Sequence, residues 1–346
     1  MSGTGTPSLR AWWAQRPPAT GAAVLATGTM SIGLRLAGYD VLSGILLAVT
    51  GIAWLALVAD FAARLLGGRP YAARLLGDRQ SSPREAGTPA EPVASAAPAA
   101  LTAVAATTVL GTRLAAQNWQ PLAEALLAAA ALLWPVVLVI GVTHWRARMP
   151  GAVFLGCVAT EGLAVLGGTL AKAEGAAWLG HAAMVLFWLG LVLCAFALTR
   201  FDFRQIRDGA GDHWLAAGAL ALSALAGSGL IAADSPALYL WNADDRGVLR
   251  NVTGALLTLG LALYAILLAA EAARPRPGHD VRRWATVFSM GVTATAMLSV
   301  GTAMDVSWLR TPAEVLLWVA VAAWLVVAGV AVEGAWRAPR APEGSP

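Results

Sequence analysis

Apolar residues in this chain run in long stretches rather than alternating, and ten such stretches fit between Pro17 and Trp336. They lie near 18–38, 41–66, 99–117, 119–143, 150–171, 176–199, 212–231, 247–270, 284–303 and 311–335. A helix needs roughly 20 apolar residues to cross a hydrocarbon core about 30 Å thick, so each stretch predicts one transmembrane helix. No alternating-strand pattern accompanies them, and backbone satisfaction within lipid leaves helices as the remaining choice. The expected fold class is an all-α membrane protein: a ten-helix domain over 18–335, with a cytoplasmic N-terminal segment 1–17 and a cytoplasmic tail 336–346. Outside connections that are mostly short pair the spans 1–2, 3–4, 5–6, 7–8 and 9–10 into five helical hairpins. The long inside loop near 67–98, with its run SSPREAGTPAEPVASAAPAA, has the composition of a flexible linker.

Composition supports that reading, since 58% hydrophobic and 13% charged residues leave too little polar material to clothe a soluble globule of this size. Charge then orients the spans. With the N-terminus inside, 18 of the 24 basic residues fall on the cytoplasmic side, including the groups Arg64–Arg84, Arg200–Arg207 and Arg274–Arg283. The other side keeps Arg35, Arg113, Lys172, Arg246, Arg250 and Arg310. This bias predicts an integral protein of the cytoplasmic membrane with both termini cytoplasmic. It also explains the net charge of +4 as topology and contact with lipid phosphate, so nucleic acid is not an expected partner. The first 17 residues lack the apolar core and cleavage site of a signal peptide, and span 1 is expected to be retained.

Hydroxyl residues divide the helices into two sets. The odd-numbered spans hold 18 Ser and Thr against 7 in the even ones. Lipid-facing helices gain nothing from hydroxyls, whereas helices around a pore or in a tight bundle use them. Both alternatives put the odd spans in an inner ring, with or without a pore. The pore-lining candidates are Thr29, Thr108, Thr160, Glu161, Ser223, Ser289 and Thr295. Glu161 lies deepest of the ionisable residues, and an intramembrane carboxyl is a functional candidate unless it is a neutral acid hydrogen-bonded to a neighbouring helix. Arg35 and Arg113 fall near the outer ends of spans 1 and 3, where they either collect anions at a pore mouth or snorkel to the interface. In span 9, Phe288 sits amid Thr286, Ser289 and Thr295, an apolar ring placed either to plug a narrow path or simply to pack.

Several classes find no support. Cys157 and Cys194 have no histidine neighbours in the sequence and predict packing rather than a metal site. Only His181 falls well within a span, so a bis-histidine haem site lacks its second ligand. Neither HExxH, a Ser/His/Asp grouping nor a Walker loop is present. No catalytic residue and no cofactor is expected, and the chain is not read as an enzyme.

Three stretches carry a family resemblance: Arg16-Pro17-Pro18-Ala19-Thr20-Gly21 through Gly28-Thr29; Gly211-Asp212-His213-Trp214 through Ser223 at the start of span 7; and Arg283-Trp284-Ala285-Thr286-Val287-Phe288-Ser289-Met290-Gly291 in span 9. They resemble the tellurite-resistance/dicarboxylate transporter family, which includes bacterial tellurite-resistance proteins, fungal malate permeases and plant slow-type anion channels. The resemblance implies a homotrimer whose subunits are each built from five hairpins, with the odd helices surrounding a pore. It also implies that a span 9 phenylalanine occludes the pore, a role that falls on Phe288. Ser289 stands where that family commonly has proline, and Glu161 where an uncharged polar residue is expected. The function so implied is an anion-selective channel or passive transporter for chloride, nitrate or other small anions. The alternative is a proton-linked carrier of dicarboxylates or of oxyanions such as tellurite.

Overall fold

A computed structural model describes residues 17–66, 93–208, 211–236, 238–241, 243–274 and 283–337. Ten long helices dominate them: α1 (Pro17–Leu36), α2 (Asp40–Leu66), α3 (Val93–Ala115), α4 (Gln120–Thr143), α5 (Leu155–Glu174), α6 (Ala177–Arg200), α7 (Leu215–Ala233), α8 (Ala243–Ala273), α9 (Arg283–Ala303) and α10 (Arg310–Arg337). Prolines open α1, where a missing N–H costs nothing. Gly175, left-handed at φ 70°, ends α5 and lets the chain reverse into α6 within two residues. The largest departure from the expected boundaries is at the start of α3. Helix α3 begins at Val93, inside the stretch read as linker, with Pro98 within it and alanines, strong helix formers, on either side of that proline; the segments 1–16, 67–92 and 338–346 lie outside the described residues.

Each odd helix packs against its hairpin partner and against the next odd helix, so that α1, α3, α5, α7 and α9 meet in order and α9 returns to α1. Burial follows this arrangement. In α5, α7 and α9, 89%, 83% and 78% of the apolar window is buried, against 11–33% in the even helices. Outward residues such as Ile52, Leu132, Val185, Leu259 and Val326 expose an apolar face. Eight of the ten helices are long and apolar enough to cross a membrane. Helix α1 offers only the shorter apolar stretch Gly21–Leu36, diluted by Thr27, Thr29 and Ser31.

Glycines bring the ring helices close. The seams pair Gly28 with Val109, Gly162 with Thr108, Gly168 with Leu230, Gly218 with Phe288 and Gly33 with Thr295. Where lipid competes equally for apolar surface, such close approach supplies the van der Waals contact that holds helices together. At Gly162 an added methyl would stand 2.4 Å from Thr108 Oγ1. Gly162→Ala is therefore expected to cost about 1–3 kcal/mol by overpacking, and Thr108→Ala in the same chain should recover most of it; thermal unfolding in detergent measures both.

Tryptophans of the outer helices stitch consecutive hairpins. The indole N–H of Trp54 on α2 donates to Thr107 on α3, that of Trp134 on α4 to Thr160 on α5, and that of Trp324 on α10 to Thr27 on α1, each at 2.9 Å. Each acceptor hydroxyl in turn donates to the carbonyl four residues earlier. An even helix is thus tied to the odd helix of the following hairpin, and the last one to the first.

Candidate functional site

The candidate hydroxyls are spent on helix bonds, and Thr160, which accepts the Trp134 indole N–H from the outer helix α4, sits on a flank of α5 and not in its expected place along a pore. Thr29 donates to Leu25 and Ala26 carbonyls, Thr108 to Ala105, Thr160 to Gly156, and Thr295 to Gly291 at 2.8 Å with the Thr29 carbonyl at 3.2 Å. All four are fully buried or nearly so. Of the two sequence alternatives, this conformation displays the packed bundle at these positions. A second hydroxyl contact, Ser228 to Ser299 at 2.8 Å, joins α7 to α9.

Phe288 is wholly buried and lies against α7. Gly218 makes the room, since a methyl there would stand 2.9 Å from Phe288 Cε1 and 2.6 Å from Ser289 Oγ. Ser289 donates to the Trp214 carbonyl at the start of α7, while the Trp214 ring meets Tyr264 of α8 edge-on at 5.4 Å. The serine thus anchors α9 to α7 beside the ring, although no proline is present to kink the helix. Two residues beyond Ser289, Gly291 lies close to Met30 and Thr29 of α1, so Phe288 occupies a part of α9 held from two sides.

Glu161 does not share the inner side of the ring. Its carboxyl sits against Gly190 of the outer helix α6, where a methyl would stand 2.5 Å from Oε1, and Oε1 accepts a 3.0 Å hydrogen bond from Ser223 of α7. Ser223 accordingly also turns toward α5. The pair occupies the wedge between α5, α6 and α7, which corrects their expected place along a pore: position 161 lies on the flank of α5 that α6 covers. The side chain is fully buried, and Oε2 has no hydrogen-bond partner among the described residues.

The two outer arginines separate. Arg35 is partly exposed and pairs with Asp40 across the α1–α2 turn at 3.1 Å. Arg113, expected at a pore mouth, is 1% exposed, because α1, α2 and α3 converge on it. Its Nε donates to Ser31 and Ser43 Oγ at 3.1 Å, and Nη2 to Ser43 at 2.8 Å. With its amide oxygen turned to the guanidinium, Gln117 accepts from Nη2 at 3.0 Å and from Nη1 at 3.2 Å. The serines clasp each other independently, Ser31 donating to the Ser43 carbonyl at 2.8 Å and Ser43 to the Ser31 carbonyl at 2.6 Å. Sequence reasoning did not single out Ser31 and Ser43; the one available signal is a serine opening an even span just across the turn from a serine closing an odd one. Among the described residues no group of three or more His, Cys, Asp or Glu is placed to hold a metal ion.

Residues 15–332 match a family model described as voltage-dependent anion channel. No curated protein sequence matches the chain.

Proposed function

This chain belongs to the voltage-dependent anion channel family, and from that premise we propose that it passes small anions passively across the cytoplasmic membrane, through a path enclosed by α1, α3, α5, α7 and α9 and throttled by Phe288. Integral membrane character and anion transport follow from the family and the apolar helices. The ten-span topology with cytoplasmic termini, the gate and the homotrimer are our reading. The observation that carries it is the burial of Phe288 in the Gly218 notch on the hydroxyl-rich ring. A path whose hydroxyls already donate to helix carbonyls would hold anions weakly enough to let them leave again, and an aromatic disc across it would block by sterics and dewetting. The carboxyl of Glu161 is compatible with anion passage because it lies on the outer flank of α5, away from that path.

The second reading, a proton-linked carrier of dicarboxylates or oxyanions such as tellurite, draws on the same buried acid. Reversal potentials in reconstituted vesicles divide the two. The passive path predicts a potential that follows an imposed chloride or nitrate gradient and ignores a pH gradient of equal size. A potential or uptake that requires the pH gradient would establish the carrier, and no flux of any anion in a panel would overturn both.

A further inference from the structure

The wedge around Glu161 contains a feature that conduction does not require. The carboxyl is fully buried between three helices, Ser223 satisfies one oxygen, and the other has no partner among the described residues. Among the described residues, the ionisable groups facing it are both thiols: Cys157 one turn earlier on α5, and Cys194 on α6. Helix α7 contributes only the Ser223 hydroxyl, and Gly190 contributes bare backbone. An ionised carboxylate there would be desolvated without a cation to offset it, a cost of several kcal/mol even after relaxation. A neutral acid fits the same space with one accepted hydrogen bond.

We infer that Glu161 is a proton-operated latch: protonated, it lets α5, α6 and α7 close around it, and when the proton is released to water the carboxylate forces hydration and parts the wedge. Because α5 and α7 are adjacent members of the ring, parting them loosens the wall of the proposed path. That last link rests on the anion-pathway reading, whereas the latch does not. The chemistry is proton exchange with solvent alone, and the bistable element is the α5–α7 seam.

The native thiols report on the latch without reference to flux. Cys157 and Cys194 are both buried, so their alkylation by N-ethylmaleimide, followed by mass spectrometry on the full chain in vesicles, reads opening of the wedge. In the wild type, labelling should rise with pH more steeply than the thiols' own ionisation explains, while Glu161→Gln, neutral at every pH, should lose that excess. Superimposable curves would overturn the latch. Infrared spectra give a second measure should the Gln variant fold poorly. A protonated-carboxyl C=O band should be present in the wild type at neutral pH, shift in Ser223→Ala and disappear on alkalinisation; a wild type without that band would equally overturn the proposal. Where flux is measurable, its pH dependence should vanish in Glu161→Gln. Absent flux together with pH-dependent labelling would sink the anion pathway and uphold the latch.

Discussion

Reconstituted Phe288→Ala is expected to conduct more than the wild type, on the order of tenfold or above, the effect of taking about 1.4 kcal/mol from a barrier. The ring is wholly buried and faces a glycine, so its removal leaves a void that Gly218 has no side chain to fill. Had the ring merely packed, that void would be a dry cavity costing about 3–5 kcal/mol, visible as lower yield and a lower unfolding temperature without new flux. If instead the ring blocks a path, the vacated volume joins the path and wets, and conductance rises. Phe288→Leu, which keeps an apolar plug, should fall between. A well-folded alanine variant with wild-type flux would place the gate elsewhere.

The second large effect concerns Arg113, and its sign separates charge from hydrogen bonding. Ser43→Ala removes the hydroxyl that accepts from both Nε and Nη2, leaving a buried guanidinium short of partners at about 1.5–3 kcal/mol. Arg113→Met keeps an unbranched chain of similar reach and removes the desolvated charge, while the two serines retain their reciprocal bonds to each other's carbonyls. The arginine replacement should therefore be close to neutral or stabilising, and the smaller-looking serine replacement the more damaging. Unfolding midpoints in detergent test the order. The reverse order would mean that the guanidinium holds a counter-ion whose loss matters more than its desolvation.

The ring order was legible because Thr and Ser accumulate in alternate helices and a strongly apolar face does not tolerate them. What each hydroxyl does was not legible. Thr27, Thr107 and Thr160 read in sequence as polar residues of inner helices, yet each also accepts an indole N–H from an outer helix of a different hairpin, a pairing that no local spacing encodes. Glu161 shows the same limit. Depth in the membrane follows from counting residues, but whether a carboxyl turns to the ring or to its flank depends on where α6 leaves space, and that space is Gly190. The burial of Arg113 was not legible for a related reason, since charge sorting reports the end of the helix on which a residue lies and not how many neighbours cover it.

Ring closure also fixes an order of events during synthesis. The seam that completes the circle joins Thr295 to the Thr29 carbonyl, 266 residues apart, and Trp324 reaches Thr27 across the same boundary. Four hairpins can emerge and pair one after another, each with its predecessor, while the free flank of α1 waits for the fifth. Until then its threonines lack the partners that α9 and α10 supply. A nascent chain arrested before α9 is an open arc with one hydroxylated edge, which the contacts of α9 and α10 cover in the finished protein.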